Sequence, residues 1–393
     1  MKKSPLFVLF VTIFLDLLGF GIIIPILPVF IKELGAHDFQ VGLIAAIYPV
    51  MNFMFSPFWG TLSDRYGRRP IILGSVLITA VAYIVFSQAG ALLVVFLSRM
   101  LSGIGSANIS VAQAYISDVT PPENRAKSMG MIGAAFGLGF IFGPSIGGYL
   151  KSISAEGSVD LVGFVTAGLC LINFALAYFF LPESLAKKQK EVKFNFKVVT
   201  GIVNELKKPS IRELLIINFI FTVAFMLMQI SSTLMWKTED GLNEKQIGYV
   251  FTFIGIVTAI VQGLLVGALV RKYGEKNLLV YGSFLMIAGM ALLPFVGATY
   301  FIPFELFALA LIALANGCIT PNISSLLSQY APEREVGQTL GVNQSFGSLA
   351  RAVGMALSGF FYSFNFRAPF ITGAGLMVLC VWMAIGLGRS NQD

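Results

Sequence analysis

Long apolar runs, each closed by a short polar turn, occupy nearly the whole chain, and they dictate its solvent before any motif is read. A hydrocarbon core needs about 20 apolar residues in helical conformation. Runs of that order fall at 6–31, 40–61, 71–89, 91–118, 127–150 and 160–181, then at 211–236, 243–270, 277–297, 301–329, 336–363 and 366–387. They are continuous rather than alternating in polarity, which argues against a transmembrane β-barrel. Of the 393 residues, 56% are hydrophobic and 12% charged, against about 25% charged in a soluble domain. The expected fold class is an all-α integral membrane protein with twelve transmembrane helices.

Charge then sets the topology. The net charge is +7, but 20 of the 27 Lys and Arg fall in the turns on one side, five on the other and two inside spans. That is a positive-inside distribution and not a nucleic-acid patch. It predicts a multi-pass protein of the inner (cytoplasmic) membrane with both termini cytoplasmic and no nucleic-acid partner. The N-terminal run imitates a signal peptide, yet it is too long, contains Asp16 and lacks a small-residue cleavage site, so it reads as span 1. Cys170, Cys318 and Cys380 lie within apolar runs without metal-ligand spacing, as packing residues do. His37 falls in a short outer turn. No metal site is expected.

The chain repeats itself. Gly60-Thr-Leu-Ser-Asp-Arg-Tyr-Gly67 returns 207 residues later as Gly267-Ala-Leu-Val-Arg-Lys-Tyr-Gly274, and Pro122-Glu123 returns as Pro332-Glu333. The expected domains are therefore two six-span bundles, 1–181 and 211–393, related by an axis along the membrane normal. Between them, 182–210 reads as a cytoplasmic linker. It carries Lys187, Lys188, Lys190, Lys193 and Lys197, followed by Val199, Ile202, Val203 and Leu206 at helical spacing, the pattern of an amphipathic helix on the inner leaflet. The repeat is imperfect: Arg271 stands where the first copy has Asp64, so the two turns differ electrostatically.

Three strings carry a family resemblance. The turn G-x-x-x-D-R-x-G-R-R, with Gly60, Asp64, Gly67 and Arg68, resembles the loop between spans 2 and 3 of the major facilitator superfamily. Span 5 holds Gly139-x-x-x-Gly143-Pro144-x-x-Gly147-Gly148, similar to the antiporter motif of that superfamily, and span 4 holds Leu97-Ser98-Arg99-x-x-x-Gly103-x-Gly105, similar to its arginine motif. Together they resemble the twelve-span drug:proton antiporters, in particular the tetracycline-exporter-like branch. The resemblance implies a major facilitator fold of two pseudo-symmetric bundles around a central cavity lined in part by spans 1 and 4. It also implies that Asp64 lies near the start of span 11 and that Arg68 pairs with Asp118. Both contacts are expected with the inner faces closed.

Chemistry is expected where charge is least tolerated. A charge at mid-helix costs roughly 2.5–3.5 kcal/mol on insertion scales, and the spans hold Asp16, Arg99 and Arg351, with Glu305 nearer the outer end of span 10. Two readings of Asp16 and Arg99 stay open: a static ion pair locking two helices, or a proton-coupling pair whose carboxylate exchanges protons as its partner leaves. Arg351 would hold an anionic substrate group or Asp16. Glu305 would snorkel to the outer interface. Gln113, Gln229, Asn316 and Gln344 are the expected polar residues of the substrate cavity. Asn52, Asn108, Gln262, Asn322 and Asn343 are further polar positions, several of which would serve as interhelical hydrogen bonds.

The expected function is export of an amphipathic organic compound by alternating access of a monomer, with protons and lipid as its other partners. The proton gradient would be the energy source, with no cofactor, since no G-x-x-x-x-G-K-[ST] phosphate loop occurs. Within the same class, the rival is a carrier of an anionic metabolite or lipid. From another class it is a transport-inactive receptor or assembly partner. No nucleophile–base set suggests an enzyme.

Overall fold

A computed structural model describes residues 5–121, 125–155, 158–185, 203–295, 301–332 and 336–387. They form twelve helical segments in chain order. α1 is Pro5–Ile23 continued by Leu27–Glu33, α2 Asp38–Tyr66, α3 Arg68–Ser87, α4 Leu92–Gly105 and Ile109–Val119 joined by a 3₁₀ turn, α5 Arg125–Ile153, and α6 Asp160–Phe180. Then come α7 Pro209–Thr238, α8 Glu244–Ile260 and Val266–Tyr273 joined by a π turn, α9 Glu275–Leu292, α10 Leu306–Tyr330 led by a π turn over Phe301–Glu305, α11 Val336–Phe364, and α12 Ala368–Gly386. Among the described residues nine segments are by themselves long and apolar enough to cross a membrane. Pro122, Glu123, Glu333 and most of the lysine-rich linker lie outside the described residues.

The described residues fall into two compact units. Residues up to 185, without 35–46, make the first; 35–46 and the residues from 203 onward make the second. Inside each unit the same neighbours recur: α1 packs on α5, α3 on α4 and α3 on α6, and likewise α7 on α11, α9 on α10 and α9 on α12. Without a hydrophobic force between helices in lipid, close backbone approach has to supply the attraction, and small residues allow it. In the first unit a Cβ on Gly143 would stand 2.6 Å from the Gly21 backbone, and one on Gly21 would stand 2.6 Å from the Gly139 carbonyl oxygen. In the second unit a Cβ on Gly354 would stand 2.7 Å from the Met226 side chain.

Interhelical polar contacts fix rotation. Asn52 Nδ2 donates to the Ser106 carbonyl at 2.9 Å, Asn108 Nδ2 to Ser75 Oγ at 2.9 Å, and Asn173 Nδ2 to the Thr12 carbonyl at 3.0 Å. Asn322 instead turns back on its own helix, to the Cys318 carbonyl at 2.7 Å. The three cysteines are free and buried, and His37 is exposed.

The charged turn differs from the sequence reading in one respect. The predicted gap between spans 2 and 3 is nine residues wide, 62–70, but the helices grow into it from both sides. The chain passes from α2 to α3 through Gly67 alone, at φ 108° and ψ 156°. Glycine lacks the Cβ that makes such a conformation costly. Asp64 and Arg65 therefore belong to the last turn of α2 and Arg68 opens α3.

Candidate functional site

The first unit holds two separate charged centres. The deeper one starts from Asp16 on α1, which is 5% exposed. Its helix is held against α5 by the glycine string: a Cβ on Gly139 would stand 3.0 Å from the Leu17 backbone, and one on Gly143 would strike Gly21. Gly147 meets Ile22, and Gly148 and Pro144 are buried alongside. The α5 motif thus sets how closely the carboxyl-bearing helix can approach.

Arg99 on α4 is 1% exposed. The structure does not bring it into an ion pair with Asp16: among the described residues no salt bridge joins them, and Asp16 Oδ1 and Arg99 Nε are both buried without a hydrogen-bond partner. The static-pair reading therefore does not describe this structure. The guanidinium lies instead over the rings of Tyr83 and Phe86, 5.5 Å and 5.0 Å from their centroids. Cation–π attraction takes the place of a carboxylate there. Tyr83, fully buried on α3, reaches from Arg99 to α1. Its hydroxyl would stand 3.5 Å from a Cβ on Gly19, three residues and one helical turn beyond Asp16. That hydroxyl also has no hydrogen-bond partner. Tyr83 thus touches the Arg99 guanidinium with its ring and α1, near Gly19, with its hydroxyl. A tyrosine in an apolar run looks like packing in the sequence; its lone hydroxyl at mid-span was the available signal.

The second centre is the turn. Arg68 is 7% exposed and binds three partners. Its Nη1 reaches Asp64 Oδ1 at 2.6 Å and Ser63 Oγ at 2.6 Å, and its Nε reaches Asp118 Oδ2 at 3.1 Å. Gly60, one turn before Asp64 on α2, faces α4: its nearest would-be contact is Ser110 Oγ at 3.8 Å. Sequence reading missed the third acid. Glu183, just past α6, accepts from the backbone N–H groups of Arg68 at 2.9 Å and Arg69 at 3.2 Å, and from those of Ser184 and Leu185 at 3.0 Å each. Its carboxylate caps the start of α3, where unpaired N–H groups favour an anion. The only hint was a lone acid after Pro182, which read as linker.

In the second unit Arg351, on α11, donates from Nη2 to Ser348 Oγ at 2.8 Å. Gln344, one face along the same helix, has a buried Nε2 with no hydrogen-bond partner. Gln229 is buried on α7, Asn316 accepts from Thr320 Oγ1 at 2.9 Å within α10, and Gln113, in the first unit, is half-buried on α4. Glu305 does not snorkel. It is fully buried, because the π turn brings its Oε1 to the indole N–H of the buried Trp236 at 2.6 Å. A buried indole needs an acceptor, and this one is on α10 rather than in water. Just past α7, the Asp240 carboxyl is pushed up to about 6 by burial, with the Glu239 charge adding to the effect. Among the described residues no group of three His, Cys, Asp or Glu is arranged to hold a metal ion.

Comparison with known proteins agrees along the whole chain. The family model described as Major Facilitator Superfamily matches residues 9–304 and 298–391. Multidrug resistance protein 2 of Bacillus subtilis (strain 168) is 30% identical over 399 residues, covering 100% of this chain and 97% of that protein. The class B tetracycline resistance protein of Escherichia coli is 27% identical over 400 residues, covering 98% of this chain and 96% of its own length. Among solved structures, the human organic anion transporter MFSD10 (TETRAN) superposes with a TM-score of 0.76 over 98% of this chain and 99% of its own, at 24% identity, a likeness of fold.

Proposed function

The chain belongs to the major facilitator superfamily as a multi-pass membrane transporter, and on that premise we propose that it exports an amphipathic organic compound in exchange for protons. The resistance proteins it resembles support export. The cycle is alternating access by the two bundles, 1–181 and 211–393, tethered through 182–210, in the cytoplasmic membrane with both termini inside.

Asp16 carries the proton. The observation behind this assignment is that its buried carboxyl has an oxygen without a hydrogen-bond partner and no ion pair. A carboxyl in that condition takes up or releases a proton without first breaking a salt bridge. An ionised carboxylate left there is an uncompensated buried charge. Arg99, held on the rings of Tyr83 and Phe86 and not on Asp16, leaves the carboxyl free to change its proton. Each pH unit across the membrane supplies about 1.36 kcal/mol per proton. Arg68, held by Asp64 on α2 and Asp118 on α4, is the conformational switch, its contacts holding the state in which the inner faces are closed.

Proton release on binding is the direct consequence. Purified protein in weakly buffered detergent, challenged with a panel of dyes, antibiotics and lipids, is expected to acidify the medium with at least one compound, and the Asp16→Asn variant is expected not to. Release of the same size from that variant would remove Asp16 from the cycle.

A further inference from the structure

The α7–α11 seam of the second unit carries a group of nitrogen donors that the proton cycle does not use. Gln344, Gly347, Ser348 and Arg351 recur at the spacing of one face of α11. At the centre of that face is a glycine. A Cβ built on Gly347 would have two neighbours within 4 Å besides the adjacent residues and the local helix backbone, Arg351 Nη1 at 3.7 Å and Asn218 Nδ2 at 3.8 Å. A guanidinium nitrogen from α11 and an amide nitrogen from α7 therefore converge over a floor without a side chain.

Two of the donors are oriented by neighbours. Ser348 holds Arg351 through Nη2, and Asn343 accepts from Asn218 Nδ2 at 2.8 Å. Gln344 Nε2, on the same face, is a buried donor with no partner. Arg351, Asn218 and Gln344 are half-buried as residues, so the group is not sealed in the core. Beside it, the residues that follow Asn218 and precede Gly347 supply an aromatic pair, Phe219 and Phe346, with ring centroids 4.9 Å apart.

The geometry points to an anion subsite: Arg351, Asn218 and Gln344 bind the carboxylate or sulfonate of an aromatic amphipathic anion whose ring rests on Phe219 and Phe346. A planar guanidinium matches a carboxylate through charge-assisted hydrogen bonds. The unpaired Gln344 amide gains a partner when the anion arrives, and Gly347 leaves room for it. This assignment deepens the export reading, on which it rests, by giving the cargo a charge.

Binding decides it, with no gradient involved. Calorimetric titration of the full chain in detergent would use 1-naphthylacetate, neutral 1-naphthylacetamide and cationic 2-(1-naphthyl)ethylammonium, which share one ring system. The anion is expected to bind about tenfold more tightly than the other two, a preference that Arg351→Gln removes and Arg351→Lys partly keeps. Gln344→Leu, which leaves every charge in place, is expected to weaken the anion by roughly threefold and the amide hardly at all. Gly347→Val is expected to weaken the anion with Arg351 intact, by filling the floor. No binding of naphthylacetate, no anion preference in the native protein, or a preference that survives both Arg351→Gln and Gln344→Leu overturns the assignment. Native protein and the Asp16→Asn variant together separate the two readings: anion preference in a native protein that releases no proton, or in a variant that releases as many as the native, faults only the cycle, and native proton release without anion preference faults only the subsite.

Discussion

Two turns at corresponding places in the repeat use one backbone device and opposite side-chain chemistry. Gly67 and Gly274 both stand at ψ 156° with positive φ, 108° and 77°, and each opens the next helix directly. Adding the repeat offset of 207 turns Arg68 into Glu275 and Asp118 into Ser325. The contact survives the change: where Arg68 pairs with Asp118, Glu275 accepts from Ser325 Oγ, and from Gln329 Nε2 at 2.6 Å. Arg69 and Lys276 also correspond, and each donates to a carbonyl at the end of its unit's last helix, Tyr178 or Leu387. The tie between the third and fourth helices is thus structural in both units. The excess of charge, with two carboxylates on Arg68 and a third capping α3, belongs to the first.

The widest separation between the two turns should come from removing the central cation. Arg68→Ala leaves Asp64 and Asp118 facing each other and is expected to cost about 2 kcal/mol, less than a fully buried pair because both acids are partly solvated. The measurement is the unfolding midpoint in detergent, and Glu275→Ala should lower it by about half as much. Equal losses would mean that the first turn has no special electrostatic role.

Gly67→Ala and Gly274→Ala compare the backbones. Both impose strain of about 1 kcal/mol at positive φ. At Gly67 the added methyl also collides with the Glu183 carboxylate, whereas nothing lies within 4 Å at Gly274. The first variant should therefore lose more stability, and Glu183→Ala should remove the difference. A larger loss at Gly274 would break the comparison.

The smallest effect is the most specific. Ser325→Asp alone sets two acids against each other at the second turn, and adding Glu275→Arg transplants the ion pair of the first. A double-mutant cycle should give a favourable coupling of about 0.5–1 kcal/mol. A coupling near zero would mean that the two turns do not share geometry.

Depth along a helix was legible in the sequence, and rotation about its axis was not. Counting residues into apolar runs finds Asp16, Arg99 and Arg351 inside the membrane, and the observed helices enclose nearly all the predicted spans. Whether a side chain turns toward lipid, a neighbour or water depends on packing that no single run encodes. Glu305 was expected at the interface and lies against Trp236, because a π turn rotates the start of α10. Asp16 and Arg99 share a unit, yet Tyr83 reaches between α1 and the guanidinium, and nothing in its apolar surroundings marks that reach. Glu183 escaped because its partners are backbone N–H groups, which every sequence has and no motif displays.

Proton coupling at Asp16 can be tested in one vesicle experiment. Protein reconstituted into proteoliposomes would be assayed with a compound that elicits proton release, first for exchange between the two sides at equal pH, then for accumulation against an imposed pH gradient. The Asp16→Asn variant should exchange and fail to accumulate. If it concentrates the compound as the native protein does, the proton travels by another route and Asp16 is only part of the wall.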